Sequence, residues 1–245
     1  MLLRRFTQHV KEQNWFAVGL DFIIVVLGVF IGLQVANWNG SRAEAKREAF
    51  YITALHEDFG SIIAELEIDI ARYETIANAM NLLMEQSRLP APDVSLDELN
   101  DAARFLTAME GTPIVSDTYL NLTGSGDLAI IRNAEVKTAI NAFFRQVEVI
   151  KLVGNTHELQ LVNVFQPYII AHLDYSNMLP TRTGLELSRT ERPEQILAVL
   201  GTDEFRNIAA VKWDIVTDIR GLLETALTEA KTVNELLTDE MERMP

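Results

Sequence analysis

Residues 15–38 read WFAVGLDFIIVVLGVFIGLQVANW, and this stretch decides what kind of protein the chain is. Only Asp21, Gln34 and Asn37 bring polarity to it, and Phe22 to Leu33 is unbroken apolar. At 1.5 Å of rise per residue the flanking tryptophans stand roughly 34 Å apart along a helix, close to the thickness of a bilayer's hydrocarbon core. Trp15 and Trp38 are the expected pair of interfacial anchors. A buried core helix rarely runs apolar for so long between two tryptophans. A cleaved signal peptide needs small residues at its cleavage site after a shorter apolar run, and only Ser41-Arg42-Ala43 fits, beyond Trp38. The stretch predicts an uncleaved transmembrane helix over 15–38, with the lipid bilayer as its first partner.

Within that helix, 100° of turn per residue puts Asp21, Val25, Gly28 and Gly32 on one face. Small residues let helix backbones approach closely in lipid, and a carboxyl there needs a partner or a wet site. The face is a candidate association surface for a second copy or for another membrane protein. The plainer alternative is that Gly-x-x-x-Gly occurs by chance and that Asp21 reaches the headgroups. Ahead of the span, residues 1–14 form a basic tail in which Leu2, Leu3, Phe6 and Val10 share a helical side. That pattern fits a short amphipathic helix on an anionic leaflet, or a frayed end. Arg4, Arg5 and Lys11 before the span are matched by Arg42, Lys46 and Arg47 after it. Only the terminal amine tips the count, towards a periplasmic soluble domain.

Working outward, the rest of the 245 residues must be a folded domain. Hydrophobic content is 48% and aromatic content 8%, enough for a packed core. The chain carries 21 Lys and Arg against 35 Asp and Glu. The first forty residues hold Arg4, Arg5 and Lys11 against Glu12 and Asp21, so the remainder carries 18 bases against 33 acids. Such a surface repels phosphate backbones, and no basic stripe offsets it, which excludes nucleic acid as the expected partner. With no cysteine, disulfides and thiolate chemistry are excluded.

The periodicity over 39–245 is helical. Asn39-Gly40 can break or bend the chain, and Ser41-Arg-Ala-Glu44 has the capping-box pattern. A helix to about Arg88 then carries Ile52, Leu55, Phe59, Ile62, Leu66, Tyr73, Ile76, Met80 and Leu83, with a gap at Asp69. Leu89-Pro-Ala-Pro92 stops it. Ser95-Leu-Asp-Glu98 opens a helix to about Gly111, and 117–123 is helical before a Gly124-Ser-Gly126 turn. Another helix from Asn133 towards Asp174 carries Ile140, Phe143, Val147, Ile150, Leu161, Val164 and Tyr168, with Gly154 as a candidate interruption. Residues 175–192 read as a loop and 193–200 as a short helix. The last helix, 203–243, carries Phe205, Ile208, Ile215, Ile219, Leu222, Ala226, Val233 and Leu236. These seams suit coiled-coil-like packing, and no stretch alternates with the period of a strand. The expected fold is all-α, an N-terminal transmembrane helix followed by an elongated antiparallel bundle, with long helices of roughly 60 Å each.

Motifs for chemistry are absent. His9, His56, His157 and His172 make no paired-ligand pattern; His157-Glu158 has no second histidine one turn on. His56-Glu57-Asp58 reads as a solvated helix face rather than a metal site. Gly124-Ser-Gly126-Asp127 lacks the lysine of a phosphate loop, and no serine sits in a nucleophile elbow. No enzyme, cofactor or metal is expected.

Two segments carry a family resemblance. Leu20-Asp21-Phe22 with Gly28 to Asn39, ending Gln34-Val-Ala-Asn37-Trp38-Asn39, resembles the anchor of an uncharacterised family of single-span bacterial membrane proteins, a domain of unknown function. That family's span ends in Gln-x-x-Asn-Trp-Asn; Gly40 here stands where it usually has glutamate. Residues 118–133, TYLNLTGSGDLAIIRN, are similar to its central Tyr-x-x-Leu-x-x-Ser-Gly-x-Leu-x-x-Ile-x-Asn motif. The resemblance implies a bacterial inner-membrane location and a helical domain, and no activity. From the residues alone the motif reads as a helix end, a glycine turn and a Leu128-Ile130-Ile131 plug. The functional expectation is an accessory or structural protein associating with itself or with a membrane complex. The alternative is a sensor-like ligand-binding bundle that signals through a separate partner.

Overall fold

The structure is a computed structural model that describes residues 15–109, 111, 113–179 and 192–244, apart from the side chains of residues 15–18 and 21. The tail expected over 1–14 and residues 180–191 of the expected loop lie outside the described residues. The protein is all-α, with no strand among the described residues. It packs as two units, Met1–Phe50 and Tyr51–Pro245.

Helix α1 (Trp15–Gln86) supplies the described part of the first unit. The break expected at Asn39-Gly40 does not form, and Ser41 is an interior helical residue rather than a cap. A glycine in mid-helix costs only about 1 kcal/mol against alanine, and Ala36, Ala43 and Ala45 surround this one. With a helical turn already before it, Ser41 faces no orphan N–H groups to cap.

In the second unit, α1 buries all nine of the expected apolar positions from Ile52 to Leu83. Their steps alternate between three and four residues, the spacing of a heptad seam. Asp69 fills the gap and is itself buried, its carboxylate 3.2 Å from the Arg72 guanidinium. Asp93 and Gln86 are joined through backbone and side chain, turning the chain after α1. The expected capping box then opens α2 (Leu96–Ala103), followed by a 3-10 turn over Arg104–Thr107. Helix α3 (Asp117–Gly124) is capped by Ser116 and leads into a second 3-10 turn, Asp127–Ile130.

Helix α4 (Ala134–Gln160) starts at an Asn133 cap and passes Gly154 without interruption. A π turn, Leu161–Phe165, joins it to α5 (Gln166–His172). Pro167 has no N–H to donate and its ring crowds the carbonyl four residues back, so the wider turn relieves it. The wide turn adds one residue to the register. Phe165 therefore takes the core place expected of Val164, which is exposed. The first residues of the expected loop form α6 (Tyr175–Met178), capped by Asp174. Helix α7 (Gln195–Leu200) follows, then α8 (Asp203–Arg243), capped by Thr202.

Helix α8 has a tighter seam than expected. Its centre is Phe205, Ala209, Lys212, Val216, Ile219, Leu223, Ala226, Ala230, Val233 and Leu237, all buried. Ile208, Ile215, Leu222 and Leu236, expected at the centre, flank it half-buried. Alanine at the seam lets neighbouring helices approach, and the larger residues close over the sides.

Asn133 with Glu240 and His157 with Lys212 set α8 antiparallel to α4. Glu67 with Lys231, and Met80 and Leu83 sharing a cluster with Phe205 and Ala209, set it antiparallel to α1. α1 and α4 thus run the same way, and residues 87–133 are a return connection alongside them. One cluster joins the long helices with Leu122 and Ile131. The other joins the ends of α1 and α8 with α2 and α5–α7.

Candidate functional site

The expected association face falls partly outside what the structure describes: the side chains of Asp21 and Trp15 are not among the described residues. Val25 is exposed, and nothing lies within 4 Å of where a Cβ would stand on Gly28 or Gly32. Packing with the described residues gives no reason for glycine at either position. Trp38 is exposed, with the Arg42 guanidinium 5.6 Å from its ring centroid. From Phe22 to Leu33 every large apolar side chain stands about half-exposed or more. This helix is long and apolar enough to cross a membrane.

The central Tyr-x-x-Leu motif is structural at each of its positions. Tyr119 stacks on Phe144 at 3.8 Å, and Leu122 and Ile131 are fully buried. Ser125 donates its N–H to the Asn121 carbonyl at the C-terminus of α3, and Gly126 turns the chain at φ +75°, open to glycine without strain. Leu128 packs against the core, and Ile130 is only half-buried. Asn133 accepts from the Glu135 and Val136 N–H groups while its amide donates to Glu240 at 2.8 Å. Asp58 is likewise no solvated residue. It accepts from the Ser116 hydroxyl at 2.5 Å and the Thr118 N–H at 3.2 Å, holding the return connection to α1.

A feature the residue patterns did not disclose lies where the two clusters meet. Lys212 is 0% exposed. Its Nζ donates to the Ala108 carbonyl at 2.6 Å, lies 2.8 Å from His157 Nε2 and stands 5.1 Å from the centre of the Phe165 ring. Carbonyl, imidazole and aromatic face thus stand in for the water that an ammonium would otherwise hold. The heptad phase of α8 delivers the lysine, α4 the histidine, and the π turn rotates Phe165 inward. Burial pushes the Lys212 ammonium down to about 7. Burial, and then the Lys212 charge, push His157 down to about 4. A neutral imidazole accepting at Nε2 carries its proton on Nδ1, which is buried without a partner among the described residues. Because His157 is held below its ordinary value of 6.5, the stability it contributes is lost as pH falls from 6.5 towards 4. Two signals in the sequence could have found it: the strict 3-4 spacing on α8, and Pro167 at the end of the apolar seam that runs from Ile140 to Tyr168.

Among the described residues no group of three or more carboxylate or imidazole side chains is placed to hold a metal ion. No protein-family model, curated protein or solved structure matches the chain.

Proposed function

We propose that this chain is a single-pass protein of a bacterial inner membrane, an accessory or structural component rather than an enzyme. It associates with itself or with a membrane protein complex through its apolar helix and presents its acidic bundle on the periplasmic side. The observation that carries this reading is the uncovered apolar helix. Apolar surface left in water costs about 25 cal/mol per Å², and only lipid or another membrane helix can cover side chains exposed on every face. Val25, Gly28 and Gly32 then offer close backbone approach to a neighbouring helix.

Crosslinking in native membranes tests the association. Gly28→Leu with Gly32→Leu is expected to abolish most of the crosslinked product, because leucine separates backbones that glycine lets touch. Val29→Leu, on another face, is expected to leave it intact. Release of the chain by alkaline carbonate would sink the anchor itself, and crosslinking untouched by the double leucine change would sink the association face.

A further inference from the structure

Between α3 and α4 lies an open cleft of about 360 Å³, at the small end of the range of ligand pockets. One wall is apolar: Ile114, Val115 and Leu120, the last two exposed to solvent. The stacked rings of Tyr119 and Phe144 line it as well. The opposite rim is polar and comes from successive turns of α4. Asn141 and Arg145 are four residues apart, so they neighbour each other on one helix face. The Tyr119 hydroxyl donates to Asn141 Oδ1 at 3.4 Å. That leaves the Asn141 amide N–H groups without a partner among the described residues. Arg145 has no carboxylate partner among them either. The cleft's other cation, Lys151, is held by Glu148 at 2.7 Å.

Two charges thus cancel and one does not. On a protein of formal net charge −14, this cleft carries one uncompensated guanidinium beside a neutral amide donor, facing an apolar wall. A guanidinium and an amide side by side match the two oxygens of a carboxylate, and the wall matches a hydrocarbon body. We propose that the cleft binds a small organic carboxylate with an aromatic or branched apolar body. The carboxylate sits between Arg145 and Asn141, and the body lies against Leu120, Val115 and the Tyr119–Phe144 stack. This goes beyond the membrane-accessory reading and does not depend on the association face.

The test uses the full chain in lipid nanodiscs, with empty nanodiscs as the control for partitioning. The probes are 3-phenylpropionate and its neutral amide, followed by calorimetry and saturation-transfer NMR. The acid is expected to bind, and the amide to bind at least about tenfold more weakly, the loss of one charge-assisted contact. Arg145→Gln is expected to weaken the acid by a similar factor and to leave the amide unchanged. Lys151→Gln is expected to change the acid's affinity far less. Leu120→Asp is expected to remove both probes, with helical content by circular dichroism unchanged. Equal binding of acid and amide, an acid indifferent to Arg145→Gln, uptake matched by empty nanodiscs, or no binding at all would each overturn the proposal. An acidic peptide that binds through Arg145 where the small acid does not would overturn it too, and assign the cleft to a protein partner.

Discussion

Two charged side chains hold the two ends of the segment 108–116 against the long helices, and they do so in opposite ways. Asp58 on α1 is half-buried and takes two neutral donors, the Ser116 hydroxyl and the Thr118 N–H. Lys212 on α8 is fully buried and reaches the Ala108 carbonyl through the middle of the core. A carboxylate at the edge of the core keeps part of its hydration while it positions a loop. A lysine sealed from water must have its charge solvated by the protein or lose it. The lysine tie is a titrating one.

The largest expected effect concerns Lys212 and is read through pH. The folded value for Lys212 is lowered from 10.5 to about 7, so between those values the unfolded chain binds the extra proton and wild-type stability rises with pH. Relative to Lys212→Met, the rise across that window is expected to reach up to roughly 4 kcal/mol. Urea unfolding of both proteins at several pH values measures it; parallel curves would mean that water reaches the ammonium. Asp58→Ala comes next, at about 1.5–3 kcal/mol, because it removes hydrogen bonds to a charged acceptor and leaves the buried Ser116 O–H without that acceptor. Urea unfolding at pH 7 measures the loss, and an unchanged midpoint would mean that Asp58 does not hold the connection. Smallest is Gly126→Ala, about 1 kcal/mol, since φ +75° strains any side chain there. It acts through backbone alone, and thermal unfolding should show it additive with Asp58→Ala.

Legibility in the sequence followed the same division. The seam of α1 was readable at nine positions because these are large aliphatic and aromatic residues, while the buried Asp69 and Ala77 went unread. That of α8 was readable only in part. Ala209, Ala230 and Lys212 are seam residues, but neither a methyl group nor an ammonium looks like core when counted alone. Val164 and Phe165 exchanged roles because a π turn cannot be seen in a pattern that assumes 3.6 residues per turn. Asn39-Gly40 suggested a break through local propensity, which a helix already nucleated on both sides overrides. The cleft was not legible at all. Asn141, Arg145 and Leu120 acquire a common role only when the return connection lays α3 along α4.

The π turn also bears on which lengths this chain can tolerate. Leu161–Phe165 holds one residue more than the seam requires, because Gln166 donates its N–H to Leu161 instead of to the residue after it. Removing one residue there and replacing Pro167 would let α4 and α5 merge into an ordinary helix. Phe165 and Ile169 would then fall on the positions numbered 164 and 168, where an unbroken heptad wants them. Removing a residue from the middle of α8 offers no such escape. Every later side chain would swing by about 100°, and the alanines that admit neighbouring helices would face water. Among related chains, single-residue insertions and deletions are therefore expected to collect beside the proline and to avoid the last helix.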